Sequence, residues 1–325
     1  MPEKKPTTVK PTGHWSRVTG HGSQLNLAVQ IGTLRLKNPV TVASGTFGHA
    51  EKYYDLEEVK KLGALVPKTV TLHSREGNPP PRILETPSGM LNAIGIENPG
   101  VDGFIEKKLP ALRRIGIPLF ISILGHTDEE FETIVKKFTK EGGADAFELN
   151  LSCPNLKQKI LVAQDPQATR RVVAKVKAIA RVPVIAKLAP NVTDIGEIAQ
   201  AAVDAGADAI SLINTFSAMA IDVRTRRSVL GNCTGGLSGP AIRPMAVHMI
   251  WEVAQKIKIP IIGMGGIMTA QDALEFLIAG ATMVAVGTAN FINPRAPLEV
   301  LEGIVEYMRK NKMNDIKDLI GSLKI

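Results

Sequence analysis

The sequence has few of the residue types that indicate a secreted, metal-binding or membrane-spanning protein. Its only cysteines, Cys153 and Cys233, lie too far apart to form a CxxC pair, which excludes a disulfide framework and favours a cytoplasmic location. Six histidines are scattered without a pair at metal-ligand spacing, so we predict no metal site. Apolar runs such as 259–269 are much shorter than the roughly 20 residues that cross a bilayer, so we expect no membrane attachment.

Aromatic residues are scarce, at 4% of the chain, although the net charge is +8. Most of this charge lies at the ends: residues 1–20 carry four basic side chains against one acidic, and residues 309–325 carry five against two. Basic and aromatic residues do not interleave, so we expect no nucleic-acid partner. We interpret residues 1–22 as a basic, disordered tail and residues 23–325 as one domain.

What the sequence does contain is a regular alternation of short apolar runs and helical segments. In chain order, the runs are entered alternately through a proline and through a Gly-Ala pair. The proline-entered runs start at Asn38, Ile117, Val182 and Ile259, and the Gly-Ala runs start at Gly63, Gly143, Gly206 and Gly280. Glycine suits the left-handed position after a helix, whereas proline cannot continue a helix but can begin a strand. Each signal therefore predicts that a helix has ended and a strand begins.

Eight apolar strands separated by helices predict a (β/α)₈ barrel, with a parallel sheet covered by helices. The clearest helical segments are 127–141, 166–180, 194–205 and 241–257. A doubly wound sheet is the alternative, but the GxGxxG turn that a dinucleotide-binding sheet needs does not occur. Residues 25–36 alternate like a β-hairpin that could cover the bottom of the barrel. Two long connections, 70–100 and 216–240, are expected to form active-site loops.

Barrel enzymes carry their chemistry at the carboxyl ends of the strands, so residues at those positions are the candidates. Lys68 and Lys187 lie in predicted buried strands, where an ammonium group needs an anion. Each could pair with an acidic residue or reach solvent, but two on one face favour an anionic ligand. The segments GMGG (263–266) and VGTAN (286–290) close strands seven and eight, where barrels often bind phosphate, and GGLSGPA (235–241) is a further amide-rich turn.

Amide side chains cluster on the same predicted face, namely those of Asn92, Asn150, Asn155, Asn191 and Asn214. Because an amide both donates and accepts hydrogen bonds, such a cluster suits a planar heterocycle. Cys153, in the turn ELNLSCPN (148–155), lies among these groups and the lysines. Positive neighbours lower the pKa of a thiol, so a thiolate here could remove a proton. A small buried hydrophobe is the alternative interpretation, and Cys233 keeps that interpretation.

These segments together resemble the dihydroorotate dehydrogenases of class 1, and most of all the catalytic subunit of class 1B. The resemblance runs from about residue 25 to 308 and rests on the motifs ASGTFG, ETPSGMLNAIGIENPG, ELNLSCPN, KLAPNVTDI, TGGLSGPAI, IPIIGMGG and VAVGTANF. It implies a (β/α)₈ barrel that binds one FMN per chain and oxidises dihydroorotate to orotate in pyrimidine (UMP) biosynthesis. Class 2 enzymes use a serine base and carry an N-terminal anchor, and this chain resembles them in neither respect.

The resemblance assigns roles to individual residues. Cys153 is the implied general base, and Lys68 is the second catalytic residue, in contact with both flavin and substrate. The implied flavin contacts are Ser44, Lys68, Thr69, Ser122, Asn150, Lys187, Ile213, Gly239, Gly265, Gly266, Gly287 and Thr288. The implied substrate contacts are Lys68, Asn92, Ala93, Ile94, Gly95, Ile96, Asn150, Asn155, Asn214 and Thr215. Among these, residues 92–96 hold the carboxylate, and Lys187 lies at the N1/O2 edge of the flavin.

The resemblance also implies how electrons leave the flavin. In class 1B a partner subunit with FAD and an iron–sulfur cluster passes them to NAD, whereas in class 1A fumarate enters the same site. This chain has too few cysteines to hold a cluster itself. We therefore expect a homodimer, or a heterotetramer with an FAD/iron–sulfur subunit. A flavoenzyme like dihydropyrimidine dehydrogenase, acting on uracil or thymine, and a non-catalytic flavin-binding relative are the alternatives.

Overall fold

The computed structural model describes residues 25–48, 56–152 and 162–325. The predicted tail at 1–22 lies outside these residues, as do Cys153 and Asn155. In chain order, the strands are β1 (Val29–Ile31), β2 (Leu34–Leu36), β3 (Val40–Val42), β4 (Val70–Thr71), β5 (Ile83–Thr86), β6 (Gly89–Asn92), β7 (Phe120–Leu124), β8 (Ala146–Asn150), β9 (Val184–Lys187), β10 (Ala209–Leu212), β11 (Phe216–Ala218), β12 (Ile221–Asp222), β13 (Arg227–Ser228), β14 (Gly235–Ser238), β15 (Ile261–Gly263) and β16 (Met283–Val286).

Helices occur at all four predicted segments, and their ends lie within two residues of the predicted bounds. The helices are α1 (Leu56–Val59), α2 (Gly100–Lys107), α3 (Leu109–Arg114), α4 (Asp128–Glu141), α5 (Pro166–Ile179), α6 (Ile195–Asp204), α7 (Arg243–Lys256), α8 (Ala270–Ala279) and α9 (Ala296–Lys310). Side-chain caps explain several of the starts: Thr127 accepts a hydrogen bond from the Glu130 amide at the beginning of α4, and Thr269 forms a capping box with Asp272 at α8. Within the described ranges, none of these helices has the length and apolar composition needed to cross a membrane.

Eight parallel strands form one sheet, in the order β3-β16-β15-β10-β9-β8-β7-β4. The segment that leads into β4 meets β3 at the other end of this order, because the Gly63 amide donates to the Val40 carbonyl at 2.9 Å and the Thr41 hydroxyl donates to the Ala64 carbonyl at 3.0 Å. The sheet therefore curls into the predicted (β/α)₈ barrel. Strands β1 and β2 pair as the predicted hairpin, and the turn glycine Gly32 lies close to residues that precede β9 and β10, at the bottom of the barrel.

The entry signals mark the strands as predicted, but two glycines act differently from the expectation. Gly206 and Gly280 follow α6 and α8 in the left-handed region, with φ of +90° and +124°. At the end of α4 the left-handed residue is Gly142, one position earlier than predicted. Gly63 is not left-handed: it is needed because a Cβ atom there would lie 2.1 Å from the backbone oxygen of Asn38.

The barrel strands separate an apolar outer face from a polar interior. On β8, Phe147 packs edge-to-face against Phe138 of α4, with ring centroids 6.2 Å apart. Polar side chains on the other face of the strands are fully enclosed, namely those of Thr41, Ser122, Glu148, Lys187 and Ser211. Because buried polar groups need partners, these side chains link neighbouring strands at the level just below the barrel mouth.

The two long connections line the cavity at the active-site face, as predicted, and much of their length forms short strands. They pair with each other in a four-stranded antiparallel sheet of order β11-β14-β6-β5, in which Gly236 lies opposite Asn92 and Leu237 opposite both Leu91 and Phe216. A small separate core of Leu91, Ala93 and Leu230 lies beneath this sheet. The sheet carries Asn92 and Ser238 to the carboxyl-end face of the barrel, where it forms the wall of a cavity.

Candidate active site

A cavity of about 340 Å³ lies at the carboxyl ends of the barrel strands. This volume falls in the range of roughly 300–1,000 Å³ that is typical of cofactor and small-molecule sites. The predicted site residues that line it are Ser44, Lys68, Thr69, Asn92, Ile94, Gly95, Ile96, Asn150, Lys187, Ile213, Asn214, Thr215, Gly239, Gly265, Gly266, Gly287 and Thr288. Residues from nearly every barrel strand are thus brought together at one mouth, as the barrel prediction required.

Some predicted residues lie elsewhere. Ser122 is fully buried below the cavity, where its hydroxyl is 3.0 Å from that of Thr69. Ala93 is buried in the small core under the four-stranded sheet. Asn191 does not line the cavity, and its side-chain oxygen accepts a hydrogen bond from the Ser217 amide. Cys153 and Asn155 lie outside the described residues, so the structure neither supports nor opposes their assignment.

Lys187 ends strand β9 with its side chain only 6% exposed. Its ammonium group donates to the Ser44 hydroxyl at 3.2 Å and lies 3.6 Å from Oε1 of Glu148 on the neighbouring strand. The Glu148 carboxylate is equally enclosed and accepts a hydrogen bond from Ser211 at 3.1 Å. The anion that stabilises this buried ammonium is therefore a residue of the protein, which was the alternative left open by the sequence. The burial of Lys187 alone does not require an anionic ligand.

Lys68 differs from Lys187 in both position and partners. It lies in the irregular segment before β4 rather than inside a strand, and its side chain is half-buried at the cavity. Burial lowers the pKa of its ammonium group, and the nearby negative charge of Glu97 partly opposes this shift. Among the described residues, none forms a hydrogen bond or an ion pair with Lys68. It is therefore the cation that the cavity presents to an anionic ligand.

Linked amides form one wall of the cavity. Asn214 donates to Ser152 at 2.9 Å and to the side-chain oxygen of Asn150 at 3.4 Å, while its own oxygen accepts a hydrogen bond from the Thr215 amide at 2.8 Å. Asn92 donates to the backbone oxygen of Gly236 at 3.4 Å. Because these contacts fix the amide planes before any ligand binds, the wall is preorganised for a ring with alternating donors and acceptors.

The loop after β6 exposes its backbone to the cavity in an unusual conformation. Gly95 and Ile96 are both left-handed, with φ of +76° and +54°, although isoleucine disfavours this region. Asn98 secures the loop, since its amide donates to the Ile96 carbonyl at 2.8 Å and its oxygen accepts from the Gly100 amide at 2.9 Å. The Arg75 side chain donates to the Gly95 carbonyl at 3.3 Å. Among the described residues, none accepts a hydrogen bond from the amides of Gly95 and Ile96, so these amides can bind an anion.

Glu148, Asn98 and Arg75 were not predicted from the sequence. Glu148 and Asn98 nevertheless lie inside two of the quoted motifs. Glu148 carried a usable signal: a glutamate two residues before Asn150 in a strand buried on both faces must point the same way as Asn150. Arg75 offered no signal, because its contacts depend on a loop packed 20 residues further along the chain.

The comparison with protein families settles the relationship of this chain. The sequence model of one family, described as dihydroorotate dehydrogenase, matches residues 26–308. This chain belongs to the dihydroorotate dehydrogenase family. The match covers almost the whole span over which the sequence motifs had suggested the resemblance.

Curated relatives of this dihydroorotate dehydrogenase family member point to one class. The chain is 50% identical over 299 residues to a protein of Geotalea uraniireducens (strain Rf4), covering 92% of this chain and 98% of the relative. It is 51% identical over 302 residues to one of Thermoanaerobacter sp. (strain X514), at 93% and 100% coverage, and 52% identical over 300 residues to one of Desulforudis audaxviator (strain MP104C), at 92% and 98%. All three are named "Dihydroorotate dehydrogenase B (NAD(+)), catalytic subunit". The predicted likeness to class 1B is confirmed.

Dihydroorotate dehydrogenases depend on a flavin, and the residues of the cavity fit one. Two ammonium groups, Lys68 and Lys187, face a polar ring-sized space. At the other side, Gly266 is left-handed at φ +80°, and its turn packs so closely on Gly239 that a Cβ atom would lie 2.7 Å from the Gly239 oxygen. Among the described residues, none accepts a hydrogen bond from the amides of Gly265 and Gly266, and such a glycine turn suits a phosphate.

Gly287 provides a direct test of this fit. Its φ is −112°, and a Cβ atom built there would lie at ordinary contact distances from Ala43 (3.5 Å) and Thr46 (3.9 Å). A methyl group at this position is therefore compatible with the fold but points into the cavity. We expect Gly287→Ala to lower flavin affinity by about tenfold or more, which corresponds to about 1.4 kcal/mol, with no loss of melting temperature in the flavin-free protein. Flavin fluorescence titration and thermal unfolding measure the two quantities.

Gly266→Ala is the contrasting variant for this test. Its left-handed backbone and the contact with Gly239 should lower the melting temperature as well as flavin binding. Undiminished flavin affinity in Gly287→Ala would show that the cofactor does not approach the end of β16.

Proposed function

We propose that this protein is the catalytic subunit of an NAD-linked dihydroorotate dehydrogenase, which holds one FMN and oxidises dihydroorotate to orotate in pyrimidine biosynthesis. One observation carries the proposal: the cavity places the half-buried ammonium of Lys68 between linked amides and the Gly95–Ile96 loop, and within the described part of the chain neither this ammonium nor the two loop amides has a hydrogen-bond partner. This arrangement matches a ring that bears alternating C=O and N–H groups and one carboxylate. Membership of the family and the names of the relatives support it.

For the substrate, the proposal divides the cavity into two parts. Asn92, Asn150, Asn214 and Thr215 bind the polar edges of the pyrimidine ring, together with Asn155. The amides of Ile94–Ile96 and the Lys68 ammonium bind the carboxylate, the group that distinguishes dihydroorotate from an uncharged dihydropyrimidine. Ala93 takes no direct part in this scheme, because its side chain belongs to the core beneath the sheet.

For the cofactor, Ser44, Thr69, Lys187 and Ile213 contact the flavin ring, and the glycines at the ends of β15 and β16 contact its phosphate with Gly239 and Thr288. When bound, the flavin supplies a hydride acceptor. Cys153 takes the proton from C5 of dihydroorotate, and the hydride leaves C6, so that the C5–C6 double bond of orotate forms. Ser122 supports Thr69 from below through the contact between their hydroxyl groups.

For the electron acceptor, the proposal relies on the relatives, whose names give NAD(+) and describe a catalytic subunit. A second subunit carrying FAD and an iron–sulfur cluster would receive electrons from FMN and reduce NAD. The assembly would be a homodimer of this chain, or a heterotetramer with that subunit.

Anaerobic mixing of the FMN-loaded protein with two substrates tests the function. We expect dihydroorotate to reduce the flavin in a stopped-flow experiment and dihydrouracil to leave it oxidised, because dihydrouracil lacks the carboxylate that meets Lys68. Reduction by dihydrouracil would favour the dihydropyrimidine dehydrogenase alternative, and no reduction by either would favour a non-catalytic relative. Purification from the native cell should also yield a second chain that contains iron.

A further inference from the structure

Glu148 is a buried charge that no step of the proposed reaction uses. Its carboxylate is 3% exposed and lies inside the barrel rather than on the cavity wall. One oxygen accepts a hydrogen bond from Ser211. Oε1 has no hydrogen-bond partner among the residues that the structure describes, and it lies 3.6 Å from the Lys187 ammonium. Burying a carboxylate with one oxygen unsatisfied is unfavourable, so its position calls for an explanation.

The strand register fixes the geometry of this pair. In the pairing of β8 with β9, Asn150 lies opposite Lys187, and Glu148 lies opposite Ile185. Glu148 is therefore one layer deeper in the barrel than Asn150. Ser211 of β10 lies opposite Lys187 from the other side. The ammonium group therefore lies at the cavity, and the carboxylate lies behind it. A ligand in the cavity meets the positive end of the pair first and the negative end at a greater distance.

We propose that Glu148 is a positioning residue that sets the charge felt by the bound flavin through Lys187. The carboxylate holds the ammonium against Ser44, and it offsets part of the positive charge that the ammonium presents to the cavity. The inference rests on the proposed function, in which Lys187 lies at the N1/O2 edge of the flavin. Because reduced flavin carries negative charge at that edge, Glu148 lowers the reduction potential of the flavin below the value that Lys187 alone would give.

The pair thereby serves both halves of the proposed reaction. The ammonium favours reduction of the flavin by dihydroorotate, and the carboxylate prevents electrons from being held too firmly to pass to the next acceptor. A lone ammonium in the same place would stabilise reduced flavin more strongly, so electrons would pass less readily to the next acceptor.

The experiment measures the flavin rather than turnover. We expect Glu148→Gln to raise the midpoint potential of bound FMN in a dye-coupled titration. It should also tighten the binding of sulfite, which adds to flavin N5 and leaves negative charge at N1, on the order of tenfold.

Two further variants separate charge from packing. Glu148→Asp keeps the negative charge but moves it one methylene away from Lys187. The flavin potential of this variant should therefore lie between those of the wild type and Glu148→Gln. If Glu148→Gln does not fold, Glu148→Asp provides the test. Ser211→Ala removes the hydrogen bond to the same carboxylate without changing any charge, so its shift should be much smaller than that of Glu148→Gln.

The outcomes distinguish this inference from the function on which it rests. A protein that binds no flavin overturns both. Flavin that binds with an unchanged or lowered potential in Glu148→Gln, or in Glu148→Asp if only that variant folds, overturns the role of Glu148 alone. A shift in Ser211→Ala as large as that in Glu148→Gln also overturns it, because packing rather than charge would then control the potential.

Discussion

Replacing Lys68 with methionine should lower the rate of flavin reduction by dihydroorotate about 10²- to 10³-fold, the usual loss when a group that stabilises developing charge is removed. The same change should raise the stability of the ligand-free protein at neutral pH. Burial lowers the pKa of the Lys68 ammonium in the folded state, so the unfolded chain binds that proton more tightly. Below the folded pKa the charge destabilises the fold, and this penalty disappears as the pH rises to the unfolded value of 10.5.

Stopped-flow reduction and thermal unfolding measure the two effects of the Lys68 substitution. Lys37 offers a matched control, because burial also lowers the pKa of its ammonium while its side chain lies outside the cavity and donates to the Lys60 carbonyl. Lys37→Met should leave the rate of reduction unchanged. Orotate affinity of the wild type should fall as the pH rises through the pKa of Lys68, and this dependence should vanish in Lys68→Met. If orotate affinity still depends on pH in Lys68→Met, a group other than Lys68 binds the orotate carboxylate.

Cys153→Ala should leave FMN bound and lower the rate of flavin reduction by dihydroorotate at neutral pH about 10²- to 10⁴-fold, the contribution typical of a general base. Asn150 and Ser152 come shortly before this position in the sequence, and the Asn214 side chain donates a hydrogen bond to each of them at the cavity wall. The measurement is anaerobic stopped flow after confirmation of the flavin absorbance.

Two further variants, Cys153→Ser and Cys233→Ala, complete the test of Cys153. Cys153→Ser should recover activity only at high pH, since a hydroxyl gives up its proton far less readily than a thiol. Cys233→Ala is the control, because Cys233 is exposed, not buried as the sequence suggested, and does not line the cavity. Unchanged reduction of the flavin in Cys153→Ala would transfer the role of base to another residue.

The barrel could be predicted from the sequence because its signals are local. A proline or a glycine at a helix end marks each strand, and the carboxyl ends of parallel strands must share one face. Residues as distant as Ser44 and Thr288 could therefore be placed in one site before any coordinates were known. The same logic could not assign the partner of Lys187, because the depth of Glu148 relative to Lys187 depends on the register between two strands.

The pairing of the two long connections could not be predicted, for a related reason. Their composition, rich in glycine, proline and asparagine, is typical of loops. The hydrogen bonds that turn them into a sheet join β6 to β14, and nothing within either segment identifies the other as its partner. Ala93 was assigned to the substrate on the resemblance of its motif, and its side chain lies in the small core beneath the sheet.

The pairing of β6 with β14 has a consequence for how ligand selectivity could change in this protein. Strand β6 is flanked on both edges, by β5 and β14, so Asn92 cannot shift without its neighbours. Its side chain bonds to Gly236, 144 positions later in the chain. Substitutions on β14 that never contact a pyrimidine would therefore reorient the amide that does, and remote positions on this strand are where discrimination between related rings can evolve.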